Sequence, residues 1–164
     1  MLIVFAGLPG TGKSSISREL ARRLGAVWLR IDSIEQAIQN SGVVPGSLDD
    51  AGYRAAYAIG EDNLRLGRVV IGDCVNGWML TRNAWRDIGL RTGARVVEIE
   101  TICSDLEEHR RRVETRAVEI PGHVLPTWSE VMERDYHQWD RDHPVIDTAG
   151  TGVDACVDRV LAAF

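Results

Sequence analysis

The segment Gly7-Leu8-Pro9-Gly10-Thr11-Gly12-Lys13-Ser14 reads G-x-x-x-x-G-K-S, the spacing of a loop built to hold phosphates. Its glycines let the backbone wrap closely, so that several N–H groups point inward. The helix that follows adds partial positive charge, Lys13 reaches the outer phosphates and Ser14 faces Mg²⁺. Gly7, Gly10, Thr11, Gly12, Lys13, Ser14 and Ser15 form the expected nucleotide-binding set. Of the 19 basic residues only Lys13 is lysine, so a slim ammonium group stands where the motif needs one. The same count points to ATP, because a guanine-reading N-K-x-D segment needs a later lysine and there is none.

Two carboxylates are the next candidates, since ligands of open α/β sheets collect at the C-terminal ends of the strands. Asp32 is expected to end the second strand and to act as the base that takes a proton from an attacking hydroxyl; the alternative is a helix N-cap. Asp73 follows the apolar run Val69-Val70-Ile71 and resembles the aspartate that holds Mg²⁺ in P-loop enzymes, again with an N-cap as its alternative. Arg112 and Arg116 are four apart on one helical face and are expected to close over the transferring phosphate, unless that face is a solvated one on which Glu108 pairs with Arg112. Trp78 could lie against a bound substrate or merely pack. The four histidines show no metal-ligand spacing and receive no role.

The elements that must position these groups alternate throughout. Strands are expected over Leu2 to Ala6, Val27 to Ile31, Val69 to Ile71, Arg95 to Ile102 and Val145 to Ile146. Helices are expected from the loop to Leu24, over Ser33 to Gln39, Ala51 to Leu66, Thr81 to Arg91, from a Ser104/Glu107 capping box to Arg116, over Thr127 to Trp139, and over Val153 to Ala163. Asn40 to Asp50 reads as a loop, and the segment up to Pro126 as a lid over about residues 112–126. Glu98 and Glu100 alternate with Val97 and Ile99, which predicts a strand with one face poorly covered. Such alternation means one α/β domain over residues 1–164, a three-layer fold around a parallel sheet.

Composition agrees with a globular chain: 45% of the 164 residues are apolar and 26% charged. A net charge of −5 disfavours nucleic acid as a partner. Cys74, Cys103 and Cys156 are far apart and read as reduced core thiols, and no apolar run is long enough for a membrane span, so a cytoplasmic protein is expected. The oligomeric state is open.

Beyond the phosphate loop, Leu29-Arg30-Ile31-Asp32, Asp73-Cys74-Val75-Asn76 with Arg82 nine residues after the aspartate, and Arg111-Arg112-Val113-Glu114-Thr115-Arg116 resemble the AAA-like P-loop kinases, relatives of chloramphenicol phosphotransferase, the zeta toxins and polynucleotide kinase domains. The resemblance implies a five-stranded sheet of adenylate-kinase-like order 2-3-1-4-5. It also implies Asp32 as base, Asn76 near substrate, Arg82 near substrate or phosphate, and Arg112 with Arg116 in the lid. Polynucleotide kinases carry an arginine three residues after the aspartate, whereas Glu35 stands there in this chain and would repel a nucleic-acid phosphate. The expected activity is therefore ATP- and Mg²⁺-dependent transfer of a phosphoryl group to a hydroxyl of a small molecule. An ATP-binding switch without an acceptor, or a polynucleotide 5′-kinase or toxin-type kinase, is the alternative.

Overall fold

The computed structural model describes residues 1–43 and 46–164, so positions 44 and 45 of the loop expected over 40–50 lie outside the described residues. Every residue of β1 (Leu2–Ala6) is buried, as a fully apolar central strand of a parallel sheet requires. There follow α1 (Lys13–Leu24), β2 (Val27–Arg30), α2 (Ile31–Asn40), α3 (Ala51–Arg65), β3 (Val70–Asp73) and α4 (Met79–Thr92). The chain continues through β4 (Val96–Ile102), α5 (Leu106–Thr115), α6 (Trp128–Met132), β5 (Val145–Asp147) and α7 (Val153–Leu161). All pairings are parallel and the order is β2-β3-β1-β4-β5, as expected, with Phe5 opposite Asp73 on one side and Ile99 on the other.

Alternation along β1 divides the core into two layers. Ile3 and Phe5 pack with Ile16 and Leu20 of α1 and with Val157 and Val160 of α7. Leu2 and Val4 face the other way, onto Ala56 and Leu64 of α3 and Trp85 and Ile88 of α4. Gly72 in β3 makes room for the Trp85 ring, since a Cβ there would stand 3.0 Å from it. The three cysteines are free and buried. Among the described residues no helix is long and apolar enough to cross a membrane.

Four local expectations need correction. Asp32 lies in the first turn of α2, one residue past its start, because the buried Ile31 already belongs to the helix. Asp105, not Ser104, caps α5, accepting from the Glu108 N–H, while Ser104 donates its hydroxyl and N–H to Asp147. The acidic residues of β4 are covered: Arg141 grips both Glu98 oxygens at 2.8 Å and a His143 ring nitrogen lies 3.0 Å from a Glu100 oxygen, so the alternation marks partnered carboxylates rather than an open face. The helix expected over 127–139 stops at Met132; farther on the His137 N–H is donated to the Gly77 carbonyl at 2.8 Å rather than back to Glu133, and Arg82 holds the carbonyls of His137 and Gln138.

Candidate active site

The phosphate loop turns out of β1 at Gly7 with φ of 142°, and a Cβ there would stand 2.4 Å from the Thr101 carbonyl oxygen, so only glycine fits. At Gly10, φ of 87° combines with the Val113 side chain, which a Cβ would meet at 2.5 Å. Three side chains hold the loop from outside. The Thr11 and Thr101 hydroxyl oxygens are 2.9 Å apart, and Thr101 donates to the Ala6 carbonyl. The Thr148 hydroxyl oxygen sits 3.0 Å from the Thr11 carbonyl and accepts from Arg112 at 2.8 Å. His109 reaches the Pro9 carbonyl at 2.9 Å; a carbonyl only accepts, so Nε2 carries the proton.

α1 begins at Lys13, with Gly12 in the left-handed conformation before it, so the free N–H groups of its first turn open toward the loop. Lys13 and Asp73 are both buried, and neither Asp73 oxygen has a hydrogen-bond partner. Burial pulls the Lys13 ammonium below its ordinary value although Asp73 and Asp32 oppose this, and burial pushes Asp73 up against the pull of Lys13. Asp73 does not line the cavity over the loop, but its unpartnered carboxylate lies near the Ser14 side chain and fits a Mg²⁺ site, which typically takes one or two protein oxygens and completes itself with water and phosphate. α4 has Trp78 at its N-cap, so Asp73 caps no helix.

A cavity of about 900 Å³ opens over the loop and is lined by Gly10, Gly12, Lys13, Ser14 and Ser15 on one side. Asp32, Glu35, Arg30, Arg116 and Arg134 line it as well, and residues 115–126 form much of its wall. Asp32 is the charge common to its neighbours. Its negative charge acts to raise the pKa of Lys13, Asp73, Glu35 and Arg116 alike, so it stands within electrostatic reach of both the loop lysine and Arg116. Two of the guanidinium groups that line the cavity are engaged elsewhere: Arg30 pairs with Glu119 at 2.9 Å and Arg112 with Glu108 at 2.6 Å. The Arg112–Glu108 pair of the bland alternative is thus present, and Arg112 still lines the cavity through its link to Thr148. Burial and the Asp32 charge push Glu35 up. Burial lowers Arg116, whose Nε and Nη2 have no partner.

The expected substrate group around α4 is not brought to this cavity. Arg82 is fully buried and donates to the carbonyls of Asn76, Gly77, His137 and Gln138, with its guanidinium over the rings of Tyr136 and Trp139 at 5.0 and 4.0 Å. Its donors are consumed in fastening the 133–139 segment, which corrects its placement near substrate. Asn76 is fully buried at φ of 48°, with its N–H donated to the Tyr53 hydroxyl, and Trp78 is half exposed and stacked on His137. Neither lines the cavity among the described residues.

The family model for an AAA domain matches residues 2–134. A shikimate kinase of Paracidovorax citrulli is 31% identical over 160 residues, covering 94% of this chain and 86% of that protein. The chain belongs to the AAA-like P-loop kinases. An uncharacterized protein of Mycobacterium tuberculosis is 30% identical over 161 residues, covering 91% of this chain but 32% of that protein. The chain thus spans about a third of the length of that relative. An APS kinase of Mycobacterium tuberculosis, solved in complex with AMPPNP and APS, shares the fold with a TM-score of 0.74 at 16% identity, over 99% of this chain and 95% of that one.

In this P-loop kinase the residues that escaped the sequence are those that touch the loop from behind. Thr148 follows β5, so the strand-end rule that found Asp73 could have found it. Nothing in the spacing of His109 marks it, since its partner is a backbone carbonyl a hundred positions away.

Proposed function

We propose that this chain transfers the γ-phosphoryl group of ATP to a hydroxyl of a small molecule. The observation that carries this is Asp32: a carboxylate not gripped by the neighbouring arginines, lining the same cavity as a complete phosphate loop. A protein that only binds and senses nucleotide has no need of such a group. The names of relatives support the reaction class, shikimate kinase at 31% identity foremost.

The loop N–H groups and Lys13 would hold the β and γ phosphates, and Ser14 and Asp73 would hold Mg²⁺ with its water. The metal, when bound, neutralises charge on the phosphates. An acceptor hydroxyl placed against Asp32 gives up its proton to the carboxylate as its oxygen bonds to the γ-phosphorus. The bond to the β-phosphate oxygen breaks and ADP leaves. Charge that develops on the transferring group meets Lys13 and Arg112, the latter held in advance by Thr148 and Glu108. The 115–126 wall, tied down by Glu119 to Arg30 and Arg18, would exclude water as a competing acceptor.

The test is Asp32→Asn. It should bind ATP as the wild type does and lose about 10²–10⁴-fold in phosphoryl transfer. Transfer at the wild-type rate would remove Asp32 from the reaction.

A further inference from the structure

We infer that His109 is a positioning residue of the phosphate loop: its ring locks the Pro9–Gly10 peptide in the orientation that presents the Gly10 N–H to a bound phosphate chain. This requires only that the loop hold phosphates, whatever the acceptor. Residues 8–11 form a β-turn, closed where the Leu8 carbonyl accepts from the Thr11 N–H at 3.3 Å and from the Thr11 hydroxyl at 2.8 Å. With proline in the second place and Gly10 at φ of 87° in the third, the turn is of type II. A type I turn joins the same ends, and differs in that the central peptide, here Pro9–Gly10, is flipped by about 180°. Proline suits the second place of either type, and glycine is as free at negative φ as at positive, so these two residues do not choose between them.

The choice is made from α5. The buried His109 ring holds the Pro9 carbonyl through Nε2–H at 2.9 Å and does not line the cavity, whereas Pro9 and Gly10 do. Across a planar trans peptide the C=O and N–H point in opposite directions, so a carbonyl turned to α5 turns the Gly10 N–H away from it. That N–H has no acceptor among the described residues, while the Thr11 N–H beside it closes the turn. The approach is possible because position 10 is glycine: a Cβ would stand 2.5 Å from Val113 and 3.2 Å from the His109 ring. Trp128, the first residue of α6, backs the same ring edge to face at 5.1 Å. In the flipped turn the Pro9 carbonyl would point where the Gly10 N–H now does and repel phosphate oxygens, and two donors, the Gly10 N–H and the His109 Nε2–H, would face each other unpaired.

Two substitutions of similar size separate the donor from the packing: His109→Gln keeps an N–H donor at the place of Nε2, and His109→Met fills the space without one. Binding of AMPPNP with Mg²⁺ is followed by calorimetry, and urea melts establish that both variants fold. His109→Met should weaken AMPPNP about three- to tenfold, the worth of one net hydrogen bond, because the ligand must now realign the peptide. His109→Gln should return the affinity to within about twofold of the wild type. In turnover the loss in His109→Met should appear in the KM of ATP, with kcat at saturation within about twofold, since bound phosphates themselves draw the N–H inward. Wild-type affinity in His109→Met overturns the proposal, as does His109→Gln binding as weakly as His109→Met, which would make the ring a packing element only. A fall in kcat with AMPPNP affinity unchanged also overturns it, and would put His109 in the chemical step. Binding is read without turnover, so the expected affinities in a chain that phosphorylates no acceptor would overturn the kinase reading and leave the lock standing.

Discussion

In the proposed transfer Asp32 and Lys13 divide the chemistry between them, and their substitutions should separate binding from transfer. Lys13→Ala removes the one ammonium that is buried beside Asp73 and should cost about 10²–10³-fold in kcat, while Asp73 is left without its closest positive charge. Steady-state kinetics with saturating ATP checks this; a fall in acceptor affinity alone would contradict it. Both were legible in the sequence as candidates, Lys13 through the motif and Asp32 through the strand-end rule. The exact seat of Asp32 was not: whether a chain leaves a strand through a turn or starts a helix at once depends on where Ile31 is buried, which only packing decides. Arg82 shows the opposite failure. A buried arginine that satisfies four carbonyls leaves no pattern by which to tell it from one that binds substrate.

At the scale of elements, the loop is held by neighbours that arrive from β4, β5 and α5. Thr148→Val removes the hydroxyl linking the Thr11 carbonyl to Arg112 and should weaken ATP binding about five- to tenfold, by roughly 1 kcal/mol, with little change in acceptor affinity. Calorimetric titration with AMPPNP measures it, and unchanged affinity would show that the loop needs no such support. The 133–139 segment hangs on Arg82 in the same way. Arg82→Met leaves its carbonyl partners unpaired and should lower stability by about 3 kcal/mol, read as a shift of the urea midpoint. The helix expected there was overestimated because its periodicity is compatible with a helix, whereas the contacts that hold its carbonyls come from a residue more than fifty positions earlier.

At the scale of the whole molecule, the sheet and its order were legible because each strand is a short apolar run followed by a helix, and such units have few ways to pack. The rest of the cavity lining was not, since Arg30, Glu35, Arg116 and Arg134 converge from separate elements. Acid stability gives a test of how the sheet edge is closed. Ser104 and the Ala149 N–H hold Asp147 below its ordinary 3.8, so the ionised form is favoured in the folded chain. That contribution is present in full above about pH 4 and is lost as pH falls through the depressed value. Asp147→Asn should therefore be less stable than the wild type by a constant amount from pH 7 to about pH 4, and the gap should narrow below that. Urea melts at pH 7, 4 and 3 check it, and a gap that widens in acid would contradict it. The central claim is phosphoryl transfer to an acceptor, and it is tested most directly by following ATP labelled in the γ-phosphate with Mg²⁺ and a panel of hydroxylated small molecules. The account predicts that one of them draws the label into a phosphoester, one per ADP formed, and that Asp32→Asn abolishes this while still binding ATP. Label released only as inorganic phosphate, at a slow rate that no acceptor changes, would contradict it and leave a nucleotide-binding switch in its place.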